Sequence, residues 1–284
     1  MSLNAADLPI VIVPIGTDED ALDACLAALE SSTPVGTRVW LADDAQAGPR
    51  GVAIIERWLA QTRLNAAHTR RANPIGESRH LDEALRACGS GDVAVLPSNT
   101  QPTQGWLERL LACLRSDAHI AAAIPWCNAG ETVAWPRIGE VVPMEQPLAL
   151  LAEACAQLRP NYPALPAAVS HAVLLRGSAR VQAGGLDAAS FGSWYAALMD
   201  LSLRMAGLGG RSVLCDTAFV FRKDEDRPSE GDMDALSARW PAWNASIAQW
   251  LMRDPLLTLR NQLTVAVQRL QQRPPQQDLF TEVQ

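Results

Sequence analysis

The stretch from Asp92 to Trp106, DVAVLPSNTQPTQGW, constrains the fold more than any other part of the chain. Val93, Ala94, Val95 and Leu96 form a short, wholly apolar run. Such a run suits a central parallel strand buried on both faces. Pro97 ends it, because proline brings no N–H to the ladder. A polar loop follows, and Thr103 to Leu107 leads into an amphipathic helix that reaches Leu114. The polar loop therefore lies at the carboxyl end of a strand, where open α/β sheets place their ligands.

The chain before this stretch supplies the partners of that strand. Leu8 to Pro14 (LPIVIVP) is a β-branched run that fits a first buried strand. Thr17 or Asp18 can cap the helix that follows, and Asp18, Glu19 and Asp20 complement its positive end. Arg38 to Ala42 is a second strand, and it ends in Asp43-Asp44. Strand, helix, strand and acidic pair make a βαβ unit of nucleotide-binding type, in which a carboxylate at the strand end accepts hydrogen bonds from a base or ribose. A solvated turn acid is the alternative for the pair. Gly51 to Leu59 reads as a helix, Arg63 to Arg71 as an Arg-rich stretch, Ile120 to Pro125 and Ala168 to Arg176 as strands, and Pro147 to Leu158 as a helix. His80, like His68 and His119, has no spacing partner and reads as structural or exposed.

Composition excludes several classes. At 284 residues with 48% hydrophobic and 19% charged residues, the chain can bury a sizeable core. A net charge of −7 speaks against a general nucleic-acid binder. The six cysteines are scattered without a C-x-x-C pair, which fits buried free thiols. With no apolar run of about 18 residues and no signal peptide, a cytoplasmic protein is expected.

Several motifs resemble, in order, those of nucleotide-sugar glycosyltransferases of the GT-A fold, family 2 type. There the strand after Asp92 runs into a D-x-D-like element, a Thr, and a helix opened by Gly-Trp-Leu-Glu. Here the matching residues are Pro97-Ser98-Asn99-Thr100 and Gly105-Trp106-Leu107-Glu108. Asp43-Asp44 matches the family's D-D-x-S, with Gln46 in place of serine. Asn73 and Gly76 match an N-x-G element, and Asp82 stands where the family has Asn. Gly184-Gly185-Leu186-Asp187 and Asp200-Leu201-Ser202-Leu203-Arg204 match later elements, the second on a helix where Asp200 and Arg204 share one face.

The resemblance implies an α/β fold with a Rossmann-like, mostly parallel central sheet flanked by helices. A GT-A domain over residues 1–223 would precede a helical extension over 224–284. It implies a nucleotide site at Pro14, Asp43, Asp44, Asn73, Gly76, Asp82, Ser98 and Asn99. Phosphate contacts fall to Arg222, at the place of a usual metal-binding His, and to Arg176. Trp126, Asn128, Trp135 and Trp194 are the acceptor candidates, although Trp126 and Trp135 also read as core or lid aromatics. Asp200 or Glu131 is the candidate base, because Ala197 and Leu198 occupy the usual catalytic positions. Magnesium and manganese want anionic oxygen ligands. Pro97 and Asn99 provide none, so no resident divalent metal or other cofactor is expected.

Two classes of function stay open on these grounds. One is a metal-independent transferase that moves a sugar from a nucleotide-diphosphate sugar to a glycan, a lipid-linked acceptor or a cell-surface polysaccharide. The other is a catalytically silent GT-A domain that binds a sugar nucleotide or a partner protein. Leu256, Leu259, Leu263, Ala266 and Leu270 recur at steps of three and four residues. That seam over residues 256–270 has three readings: docking on the body, a homodimer helix, or a weak membrane-surface contact.

Overall fold

The computed structural model describes residues 8–139, 146–224 and 228–272. The first half alternates strand and helix: β1 (Ile10–Pro14), α1 (Glu19–Ser32), β2 (Arg38–Asp43), α2 (Pro49–Leu59), β3 (Asn65–Arg70), α3 (Glu77–Ala87) and β4 (Val93–Val95). It continues through β5 (Thr100–Pro102), α4 (Trp106–Ser116), β6 (Ile120–Cys127), α5 (Leu148–Ala156), β7 (Ala164–Leu165) and β8 (Val173–Leu175). The chain closes with α6 (Gly177–Gln182), α7 (Trp194–Gly207), β9 (Arg211–Arg222), α8 (Asp232–Arg239), α9 (Trp243–Arg253) and α10 (Leu257–Gln271).

The strands form one sheet in the order β3-β2-β1-β4-β8-β6-β9-β5, with β7 paired to β9. From β3 to β4 every pairing is parallel. β8 runs antiparallel to both β4 and β6, and β6 and β9 return to parallel. The apolar strands alternate between two cores, as a period of two requires. Val11, Val13, Ala94 and Leu96 face one cluster, covered by α1, α2 and α4. Ile12, Val93 and Val95 face the other, covered by α3, α5, α7 and the C-terminal helices. A strand that must fill both cores has no polar position, which is why Val93 to Leu96 is apolar throughout.

Local signals set the element boundaries. Asp18 caps α1, its carboxylate accepting from the Ala21 N–H at 3.0 Å. Gly105, at φ +77°, turns the chain into α4, and Trp106 is buried with its indole N–H on Thr33 Oγ1 at 3.2 Å. Two elements differ from expectation. The Arg-rich stretch contains β3, an edge strand whose exposed, polar residues hide it from a hydrophobicity reading. The strand expected from Ala168 narrows to Val173–Leu175. Ahead of it the carbonyls of Ser170 and His171 accept instead from Trp194 Nε1 at 3.1 Å and Thr100 Oγ1 at 3.0 Å, so side chains replace the ladder.

The C-terminal helices bury no core of their own but join the cluster around α7. The seam Leu256, Leu259, Leu263, Ala266 and Leu270 is buried against the body. Arg260 donates to the Ala134 carbonyl at 2.9 Å, and Trp135 Nε1 to Thr264 Oγ1 at 3.0 Å. The seam is therefore buried within the chain, as the docking reading of residues 256–270 has it. All six cysteines are free, five of them buried. Among the described residues no helix is long and apolar enough to cross a membrane.

Candidate donor and acceptor site

A cleft of about 510 Å³ opens at the carboxyl ends of β1, β2 and β4. Residues Pro14 to Asp18, after β1, form one wall, and Pro97, Ser98 and Asn99, after β4, form another. Asp44 and Gln46 close it from β2, and Pro74, Gly76, Glu77 and His80 from the entry to α3. Ser98 Oγ accepts the Gly16 N–H at 2.8 Å and so ties two of the loops together. Asp44 receives the N–H groups of Ile75 and Gly76, both at 2.9 Å, and fixes the loop before α3. Gly76 adopts φ +100°, a conformation that favours glycine. A carboxylate offers about four acceptor positions, so Asp44 keeps capacity to receive a ribose or base donor.

The cleft is acidic. Asp18, Asp44, Glu77 and Asp224 line it, and no arginine or lysine is among its lining residues. The ammonium of Lys223, the chain's single lysine, is hydrogen-bonded to Asp18. His80 adds no cation at neutral pH, because burial pushes its pKa below the usual value against the opposing pull of Asp44. Pro97 and Asn99, the positions that the motif resemblance pairs with acidic metal ligands, carry no carboxylate. No group of three or more His, Cys, Asp or Glu able to hold a metal ion occurs among the described residues. Asp44 holds two backbone amides, Asp18 holds Lys223 and the α1 cap, and Glu77 accepts the Trp194 N–H, so the carboxylates of the lining are not gathered on one point where a divalent cation would sit.

The cleft gathers Pro14, Asp44, Gly76, Ser98 and Asn99, but the other nucleotide candidates lie elsewhere. Asn73 is exposed and outside the lining. Asp43 is fully buried. It closes the turn after β2 through the Gln46 and Ala47 N–H groups at 2.7 and 3.2 Å, and it pairs with Arg70 at 2.5 Å. Successive residues at a strand end face opposite ways, so one acid of the pair serves the turn and the other the cleft. Asp82 accepts the Leu186 N–H at 2.9 Å and pairs with Arg86 at 2.5 Å, holding the Gly184-Gly185 turn against α3.

Other expected roles are corrected in the same way. Asp200 is fully buried, with Arg204 at 2.8 Å, Trp240 Nε1 at 3.0 Å and Arg239 at 3.2 Å around its carboxylate. Enclosed by donors, it is no general base. Arg176 donates to the carbonyls of Ile120 (2.6 Å), Asp117 (2.9 Å) and Leu114, stapling backbone away from the cleft. Trp126 and Trp194 are core residues, their indole N–H groups on the Asp216 and Ser170 carbonyls, both at 3.1 Å. Trp135 docks α10. Asn128 bridges to the Arg222 backbone, donating at 2.9 Å and accepting at 2.7 Å, and so staples β6 to β9. None of these four forms an acceptor wall.

A second cavity, of about 300 Å³, has Arg222, the last residue of β9, in its lining. Its walls come from the loop after β6, from residues 166–171, from α7 and from the helical extension. Arg222 lines it, buried, and Glu131 is the one carboxylate among its lining residues. Arg222 pairs with Thr100 in the β5–β9 ladder, and the Lys223 N–H donates to the Asn99 carbonyl at 3.1 Å. Thr100 also holds the carbonyl of His171, which lines the second cavity. The two spaces thus meet at the end of one strand pair, Asn99 and Asp224 lining the first and Arg222 and His171 the second. His171 was invisible to motif reasoning; its only signal is a lone imidazole inside the apolar run AVSHAVLLR. Burial, reinforced by the charge of Arg222, pushes its pKa down to about 3.

Residues 10–165, more than half of the chain, match glycosyl transferase family 2. The chain belongs to that family. Solved structures place it in the GT-A fold. It aligns with GalNAc-T7, crystallised with UDP, GalNAc and Mn²⁺, at a TM-score of 0.60 and 10% identity, covering 90% of this chain and 54% of that one. TarS of S. aureus gives a TM-score of 0.56 at 14% identity, covering 91% and 42%. The mannosyltransferase PcManGT of Pyrobaculum calidifontis, solved with GDP-Man and Mn²⁺, gives 0.54 at 14% identity, covering 95% and 78%. At these identities the likeness establishes the fold alone, and the chain spans about half or less of the first two proteins. No curated protein sequence matches the chain.

Proposed function

We propose that this family 2 chain is a glycosyltransferase that draws a sugar from a nucleotide-diphosphate sugar without a resident metal ion and passes it to a hydroxyl held in the second cavity. The observation that carries this reading is a pair of cavities that meet the end of the β5–β9 pair, one lined by Asn99 and Asp224 and the other by Arg222. Pro14, Asp44, Gly76 and Ser98 supply the nucleoside end of the donor cleft, and Asn99 stands where the diphosphate leads toward the acceptor. In the reaction, the acceptor oxygen bonds to the anomeric carbon while that carbon's bond to the diphosphate breaks. The leaving group keeps the electron pair, and the hydroxyl proton passes to a base. With Asp200 sealed, Glu131 is the carboxylate placed for that role.

Nothing in the cleft's lining neutralises the departing diphosphate, so chemistry is expected to be slow. A positioned base contributes about 10²–10⁴ in rate. Glu131→Gln is therefore expected to lower turnover of the donor, by transfer or by hydrolysis, at least about a hundredfold while nucleotide affinity stays within about twofold. Calorimetric titration and a nucleoside-diphosphate release assay on the same protein check this. Unchanged turnover in the variant removes Glu131 from the mechanism.

The acidic cleft and the sealed Asp200 also support a second reading, a silent domain that binds a nucleotide sugar or a partner. Saturable nucleotide binding with no diphosphate release from any of UDP, GDP or dTDP sugars selects it.

A further inference from the structure

The donor cleft is lined by acids, yet a cation stands at its rim, one residue outside the lining. Lys223 follows Arg222, the last residue of β9, and its ammonium is hydrogen-bonded to Asp18. Its N–H donates to the Asn99 carbonyl at 3.1 Å, and its next neighbour is Asp224. Asp18, Asn99 and Asp224 all line the cleft. The ammonium therefore rests on one wall, while the main chain that carries it is fastened to another.

The ammonium is free to change partner at little cost. Its side chain and that of Asp18 are 49% and 37% exposed, and solvated pairs of that kind contribute little to stability. Asp18 does not depend on the pair, since its other oxygen accepts the Ala21 N–H at 3.0 Å and caps α1. The lysine stem is flexible, whereas its root is fixed beside Asn99. Other cations nearby are committed elsewhere. Arg70 is spent on Asp43 at 2.5 Å, and Arg222 lines the second cavity.

A nucleotide-diphosphate sugar would bring a dianion among Asp18, Asp44, Glu77 and Asp224. Exchanging Asp18 for a phosphate oxygen keeps the ammonium paired and sets its charge against the group that leaves. An ammonium binds phosphate as a compact point charge with three donors, so the exchange needs no fixed fork.

We propose that Lys223 is the cation of the donor site, resting on Asp18 and moving to the diphosphate when the donor binds. Its role toward a donor rests on the transferase reading of the same cleft; its contact with a diphosphate does not.

As the chain's single lysine, Lys223 gives one side-chain signal under ¹³C-lysine labelling. The full chain, in EDTA, is titrated with inorganic pyrophosphate, with UDP, GDP and dTDP sugars, and with the matching nucleosides. Pyrophosphate and one sugar nucleotide are expected to shift that signal saturably, and the nucleosides to leave it in place. Lys223→Met is expected to weaken both diphosphate ligands about tenfold, with nucleoside affinity held within about twofold. Lys223→Arg is expected to recover most of the loss. Because the Asp18 pair is solvated, Lys223→Met keeps a urea midpoint close to that of the wild type. A lysine signal that stays in place while a diphosphate binds, or equal diphosphate affinity in Lys223→Met, overturns the proposal. Sugar-nucleotide binding with an unmoved lysine defeats the role of Lys223 alone. Pyrophosphate on Lys223 with no sugar nucleotide bound at millimolar concentration upholds the phosphate contact and defeats the transferase. No saturation by any diphosphate defeats both.

Discussion

At the scale of single residues, the chemistry of this chain turns on which polar groups are already spoken for. Asp200 is the clearest case, a carboxylate that its motif marks as a candidate base yet that is enclosed by Arg204, Arg239 and Trp240. Removing one partner of a buried pair costs roughly 3–5 kcal/mol, and Arg204 and Arg239 are partly solvated, so the lower end applies. Asp200→Asn is expected to lower stability by about 3 kcal/mol in urea denaturation while leaving nucleotide affinity unchanged. An unaltered midpoint with lost turnover would instead restore Asp200 as a base. His171 sets a pH dependence of known sign. Its folded pKa of about 3 lies below the ordinary 6.5, so the unfolded chain takes up a proton that the folded chain refuses. This contribution is complete above pH 6.5 and is lost as pH falls toward 3, with a slope approaching about 1.4 kcal/mol per pH unit. Wild-type protein is expected to lose stability between pH 6 and 4 more steeply than His171→Phe, read from denaturation midpoints across that range. Parallel profiles would contradict the buried neutral imidazole.

At the scale of elements, α10 is held by apolar burial on one face and by Arg260 and Thr264 on the loop after β6. Leu263 is fully buried, and Leu→Ala at such sites costs about 2–5 kcal/mol. Leu263→Ala is expected to lower the melting temperature by the same amount at every protein concentration, as scanning calorimetry over a hundredfold dilution would show. A concentration-dependent midpoint would return the seam to a dimer interface. The same elements show what a sequence discloses. β1, β2 and β4 are legible because strands buried on both faces admit only apolar residues, and α1 and α4 because Asp18 and Gly105 mark their starts. β3 is not, since an exposed edge strand such as NAAHTR carries no hydrophobic signal. Half of the donor cleft was legible from loops after strand ends. Asp43 and Asp44 differ only in which way each points, and pattern does not give direction. The tryptophans misled for a related reason: an aromatic ring serves a core and a sugar wall equally well, and burial alone separates them.

At the scale of the whole molecule, the sheet keeps the frame of glycosyl transferase family 2. The proposed donor cleft has four carboxylates and no arginine or lysine in its lining, and no cluster able to hold a metal ion occurs among the described residues. Like charges near a diphosphate weaken it at any distance that solvent leaves unscreened. Relieving one of them should therefore strengthen the donor without touching the nucleoside. The most direct measurement is a calorimetric titration, in EDTA, of wild-type and Asp224→Asn protein with UDP, GDP and dTDP sugars and with the matching nucleosides. The expected result is saturable binding of one donor, tightened about three- to fivefold in the variant with the nucleoside affinity unmoved. No saturable binding by either protein at millimolar concentration, or identical donor affinities in the two, would contradict a nucleotide-sugar cleft without a resident metal.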